Sequence, residues 1–236
     1  MLKKCLAAGL AALAFAVPAQ AVEVAVGARI STLGLGLEAA TAINPYLTVR
    51  GVINGFNYSK DYTDDDGNEY EGKLKLFTAG TLLDVHPFQG VFRITAGGLL
   101  NDFSLNGNTK DGQTFEYKTD DFTYRSTDGR ADAKIDFPSF APYLGLGWGR
   151  PIKPDGNFWF SFDVGVMLQG SLKADLNLTG TGTVTDNSNP PNTRTVDFAE
   201  DEAVQADVAN YERELEDEAK DFKYYPVIGL GFGYKF

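Results

Sequence analysis

Apolar residues recur at every second position through eight stretches of the chain, which is the period of a β-strand and not of a helix. The last stretch, 224–236, is the cleanest. Tyr224, Pro226, Ile228, Leu230, Phe232, Tyr234 and Phe236 fall in one phase, and Tyr225, Val227, Gly229, Gly231, Gly233 and Lys235 in the other. One face is therefore an apolar band with aromatics at both ends, and the other is mostly glycine. A soluble sandwich wants bulk on its buried face and polar groups outside, whereas a strand whose band meets lipid is free to fill its inner face with glycine. The same split recurs over 24–32, 35–43, 46–58, 91–103, 140–150 and 158–173. In the last of these, Phe158, Phe160, Phe162, Val164, Val166 and Leu168 oppose Trp159, Ser161, Asp163, Gly165, Met167 and Gln169. Three alternating phenylalanines turned to water would make an aggregation site. Over 70–86 the phases disagree, with Leu74 and Leu76 in one and Phe77, Leu83 and Val85 in the other, which predicts a β-bulge near Leu76.

These strands predict an all-β fold, an eight-stranded antiparallel transmembrane β-barrel. The connections at Asn44-Pro45, at Pro87-Phe88 and over 151–156 are short, while those over about 59–69, 105–139 and 174–223 are long. Short turns at one rim and long loops at the other are the membrane-barrel arrangement, so the long ones read as extracellular and both termini as periplasmic. The last long loop also carries Phe198, Val204, Val208, Tyr211, Leu215, Ala219 and Phe222 at spacings of three and four, with acidic residues between them. That spacing predicts one amphipathic helix over 198–222, before the last strand. It is either a lid over the barrel mouth or an element packed on its neighbours.

The N-terminus belongs to a different pattern. Lys3 and Lys4 precede an apolar run over 6–17, and Ala19-Gln20-Ala21 supplies small residues for cleavage, so 1–21 reads as a secretory signal peptide and 22–236 as one barrel domain. The run is too short for a spanning helix. Cys5, the chain's one cysteine, would leave with it, and the loss of two lysines takes the net charge from −11 to −13. An acidic chain has no means of holding a phosphate backbone, so nucleic acid is excluded as a partner. A mean hydropathy of −0.20 excludes a helical membrane protein and suits a barrel whose apolar residues occupy alternate positions.

No cofactor is implied, and the chemistry on offer is sparse. Asp64-Asp65-Asp66-Gly67-Asn68-Glu69 shares part of a calcium loop's composition, but Tyr62 stands where the first ligand belongs, and a turn at Asp-Gly is the simpler reading. The single histidine, His86, stands beside Pro87 at the periplasmic rim, the wrong end for a lipid-modifying barrel enzyme. The chain therefore reads as non-enzymatic, with His86 a polar rim residue. The inward phase is more telling, because it carries Arg29, Arg50 and Arg93 with Glu38, Asp84 and Asp163. Buried charges left single cost several kcal/mol, so these six are expected to pair. Either they form a plug that holds the barrel closed, or they line a narrow path on which a small cationic or zwitterionic solute exchanges contacts.

Several runs resemble a known family. Val26-Gly27-Ala28-Arg29, Asn44-Pro45-Tyr46 and 141–148 (Ala-Pro-Tyr-Leu-Gly-Leu-Gly-Trp), with an acidic helix just before Tyr225-Pro226-Val227, are similar to the carbapenem-associated outer-membrane proteins (CarO), also described as ornithine-uptake porins. The resemblance implies a Gram-negative outer-membrane barrel of eight strands that admits basic amino acids. Its partners would be outer-membrane lipid and lipopolysaccharide, and the barrel-assembly machinery engaging the strand that ends in Phe236. Two functions stay open: a narrow porin-like channel for small solutes, and a non-conducting surface barrel acting through its acidic loops in envelope integrity or adhesion. A soluble secreted barrel with its apolar phase inward is a third possibility, of a different class.

Overall fold

The computed structural model describes residues 23–63, 69–109, 115–118, 122–126, 128–152, 156–187 and 190–236; the expected signal peptide and the Asp64–Asn68 part of the acidic turn lie outside them. In chain order the elements begin with β1 (Val24–Ser31), β2 (Gly34–Asn44), β3 (Leu47–Thr63), β4 (Glu69–Val85) and β5 (Phe92–Asn101). The first excursion follows as β6 (Ser104–Thr109), β7 (Phe115–Lys118), β8 (Phe122–Ser126) and β9 (Arg130–Asp136). The chain re-enters the wall as β10 (Phe140–Trp148) and β11 (Phe158–Leu168) and leaves again as β12 (Lys173–Thr179), β13 (Thr181–Asp186), β14 (Asn192–Asp197) and α1 (Glu202–Glu218). A 3₁₀ turn, Ala219–Lys223, leads into β15 (Tyr224–Lys235).

Eight of these strands close a barrel in the order β4-β3-β2-β1-β15-β11-β10-β5, with β5 pairing back on β4 and every pair antiparallel. Closure removes the free edges that an open sheet would present to lipid. The apolar phase faces outward: Phe158 is 77% exposed, Leu35 65% and Phe232 64%. Aromatic contacts gather at the short-turn end of this belt, where Trp148 packs edge-on against Phe92 and stacks with Phe162, and Tyr234 meets both Phe158 and Phe236. A dry apolar belt with an aromatic girdle is the outer surface of a transmembrane barrel.

Inside, three layers follow one another along the axis. Nearest the short-turn end, Ala25, Ile152 and Trp159 form a small cluster. A charged layer comes next. Above it, towards the long connections, Leu33, Val52, Leu82, Leu99, Phe103, Tyr143, Met167 and Val227 pack into an apolar plug. This plug accounts for the phase conflict in β4. The expected bulge near Leu76 is absent, because the β3–β4 register runs unbroken from Leu47↔Val85 to Thr63↔Glu69. Leu74 and Leu76 keep the inward phase, and Leu76 packs on the plug. An apolar residue on the inward phase needs no slip of register where the interior itself is apolar. The register shift that does occur lies in β2–β3, between Ala42 and Asn44.

The long connections are built structure. The upper half of β4 exchanges β5 for β6 as its partner, and β6, β9 and β12 carry the wall outward as one continuous sheet with β3 and β4. A second sheet, β14-β13-β8-β7, lies beside it. The helix packs on these elements, burying Val204 and Val208 with Tyr124, Leu178, Val184 and Phe198. Asp201 caps its first turn, accepting from the N–H of Ala203 and of Val204, both at 3.1 Å. From further along, Glu212 accepts from Leu176 N at 2.6 Å and Glu216 from Ala174 N at 3.2 Å. Two helix carboxylates thus blunt the free edge of β12, an edge that would otherwise template aggregation.

Candidate functional site

The charged layer is assembled from all eight wall strands. β1 supplies Arg29, β2 Glu38, β3 Arg50, β4 Asp84, β5 Arg93 and β11 Asp163, each on the inward phase of its strand and each buried. The other two strands supply space. A Cβ on Gly147 of β10 would stand 2.7 Å from Arg93 Nε and 2.8 Å from Asp163 Oδ1, and one on Gly229 of β15 would stand 3.0 Å from an Arg29 guanidinium nitrogen. Glycine at these two positions leaves room for guanidinium groups.

Arg50 is the hub. It donates from Nε to Asp84 Oδ2 at 2.5 Å and from Nη2 to Asp84 Oδ1 at 3.0 Å, a bidentate pair. The same guanidinium reaches Asp163 at 3.3 and 3.4 Å and Glu38 Oε2 at 3.4 Å. Arg93 donates to Asp163 Oδ1 at 2.7 Å, to the Gly149 carbonyl, and stands 3.7 Å from Asp84. Arg29 closes the other side on Glu38 Oε2 at 3.4 Å. Three guanidinium groups face three carboxylates with no net charge, and Arg50 and Arg93 have no exposed surface at all. Thr95 adds a hydroxyl bond to Asp84 Oδ1 at 2.7 Å, a partner that alternation alone could not single out.

Arg29, Glu38, Arg50, Asp84, Arg93 and Asp163 are therefore brought into one network across the bore. Glu38 Oε1 and, near it, Ser161 Oγ have no hydrogen-bond partner among the described residues. His86 stands at the short-turn end, directly after β4, but it is fully buried, with Nδ1 3.1 Å from the Gly90 carbonyl and Nε2 3.5 Å from Thr48 Oγ1. The chain folds back beneath it through the 86–91 turn, where Gln89 adopts a positive φ of 52°, and this return covers the ring.

No protein-family profile matches the chain, and no curated protein matches it. Two solved structures share its fold. Acinetobacter baumannii CarO2 superposes with a TM-score of 0.54 at 19% identity, covering 92% of this chain and all of that one. Acinetobacter baumannii CarO gives 0.52 at 18% identity, covering 90% of this chain and 97% of that one. At such identities the likeness carries the fold, a barrel with one helix before its closing strand.

Proposed function

We propose that this chain is a bacterial outer-membrane barrel with a sealed lumen, acting at the cell surface through its outward sheets and helix. The observation that carries this reading is the filled bore. Arg50 and Arg93, without exposed surface, span the charged layer, and the apolar plug around Leu82, Leu99, Phe103 and Met167 lies directly above. A hydrated ion or amino acid would have to break a bidentate buried pair and then cross a dry layer. An eight-stranded barrel offers no spare width for either step. Export through a cleaved segment 1–21, lipid and lipopolysaccharide around the apolar belt, and insertion by the assembly machinery through the strand ending in Phe236 all belong to this proposal. Catalysis does not.

Planar-bilayer recording of the refolded protein tests it, and silence is the expected result. Discrete conductance steps that lysine or ornithine inhibits would overturn it in favour of a narrow channel for basic amino acids. One observation supports that second reading: the three carboxylates converge on a single guanidinium, and Glu38 keeps an oxygen without a partner among the described residues, so a cationic side chain could compete for the place of Arg50. In the channel reading Asp163→Ala loosens the layer and opens or enlarges the steps, and continued silence of that variant counts against it.

A further inference from the structure

Outside the bore, the described residues line an open-sided cavity of about 460 Å³ on the inward-phase face of the extended wall, between the sheet β3-β4-β6-β9-β12 and α1. Strand register builds its floor. Lys60 pairs with Gly72, Gly72 with Gly107, Gly107 with Ala133 and Ala133 with Leu176, and these five residues line the cavity in one row across five strands. The row next to it runs from Tyr62 and Tyr70 to Ala131 and Leu178. Val208 and Tyr211 of the helix close the far side.

Two features mark this as a space kept open. Gly107 is not there to avoid a clash, since a Cβ built on it meets nothing within 4 Å, and one on Gly72 meets only the Lys60 carbonyl oxygen at 3.6 Å. This is the opposite of Gly147 and Gly229 in the bore. Paired glycines weaken a sheet, and here the fold could accept side chains in their place yet leaves a bare strip between tyrosines and aliphatics. The second feature is charge. Of the carboxylates at the cavity, Glu71 is paired with Lys73 at 2.8 Å and Asp132 with Arg130 at 2.8 Å, while Lys60 has no ion pair among the described residues.

We infer that this cavity binds an anionic amphiphile of small-molecule size, its flat apolar body lying over Gly72 and Gly107 between Tyr62, Tyr70 and Leu176, and its carboxylate meeting Lys60. The volume lies within the range of about 300–1,000 Å³ for small-molecule sites, and the lining, apolar with a few placed polar groups, is of the usual kind. Because the site lies outside the bore, the inference holds whether or not the lumen conducts.

Calorimetric titration of the full chain in lipid nanodiscs with 4-(1-naphthyl)butanoate, its neutral amide and an empty-nanodisc control tests it. Saturable one-to-one binding above the control is expected, with the carboxylate about threefold tighter than the amide, as a solvent-exposed ion pair supplies. Gly107→Leu, whose Cβ meets nothing within 4 Å, extends its side chain into the strip and should abolish binding while leaving the folded migration in semi-native gels unchanged. Lys60→Gln should keep amide binding and erase the preference for the carboxylate. Binding no greater than to empty nanodiscs overturns the inference, and so does undiminished binding to folded Gly107→Leu. Equal preference in the wild type and Lys60→Gln overturns the assignment of the anionic end.

Discussion

Ion pairs inside the bore and ion pairs on the outward sheets use the same residue types at similar distances, yet they do different things. Arg50, Asp84 and Asp163 lie in a layer with almost no exposed surface, so breaking it leaves desolvated charge behind. Arg194 and Asp201 meet at the start of α1 with the guanidinium side chain 46% exposed, where water and salt replace either partner. The lesson is that the pair itself sets little; what it is buried under sets its worth. In the bore the eight strands hold the partners before any charge is considered, and Gly147 and Gly229 clear the volume they occupy.

The largest effect should therefore come from the hub. Arg50→Leu leaves Asp84 with no bidentate partner and removes one guanidinium from each of Asp163 and Glu38, and is expected to destabilise the folded barrel by about 3–5 kcal/mol. Urea unfolding in detergent, followed by the fluorescence of Trp148 and Trp159, measures it. A loss below about 1 kcal/mol would place the buried network on the level of a surface pair and erase the contrast.

Overpacking should come next. Gly147→Val places its first carbon 2.7 Å from Arg93 Nε and 2.8 Å from Asp163 Oδ1, and the neighbours can yield only by lengthening their own contact. A cost of about 1–3 kcal/mol is expected in the same unfolding measurement. Gly107→Leu, whose first carbon meets nothing, is the matched control and should leave unfolding unchanged. Equal losses in the two variants would mean that a strand glycine matters here for its backbone and not for the room it leaves.

How much of this could be read from the chain follows the same division. Along each wall strand one neighbour is lipid and the other is the bore, so alternation alone assigns both phases, and the six inward charges with them. The reading faltered at Leu74 and Leu76 because it took the inward phase to be polar or small throughout, when the bore is layered and apolar at that level. Within 105–139 and 174–223 the chain gives no such signal, although both segments form strands. Strands such as β14, Asn-Thr-Arg-Thr-Val-Asp, carry a single apolar residue, Val196, and so no period of two in hydrophobicity. Their order comes from pairing with distant segments, as β13 with β8, and that is invisible one residue at a time. The roles of Gly147 and Gly107 were equally hidden, since clash or clearance is decided by strands far away in sequence. The helix was legible because its stripe is local; its ends were not, since Phe198 is buried beside the helix and not within it, and Asp201 takes the cap.

The smallest effect, and the sharpest probe of the outward half, is the titration of that cap. The hydrogen bond from Arg194, and then those from the backbone N–H groups of α1's first turn, hold the Asp201 carboxyl down to about 2. A carboxylate whose pKa is depressed on folding contributes in full above its unfolded value, about 3.9, and loses that contribution as pH falls through its folded one. The helical far-ultraviolet signal of the wild type should therefore begin to fall between pH 4 and 2, while the strand signal of the wall persists. A control that removes the charge of the cap alone is needed. Asp201→Asn supplies it, because an amide oxygen still caps the first turn but carries no charge and does not titrate. This variant lacks the carboxylate's contribution at every pH, so its helical signal should already lie below that of the wild type at pH 7 and should lack the part of the acid loss nearest pH 2. If its acid profile superposes on that of the wild type throughout, the cap is not what acid releases, and the helix is held by its seam with β12.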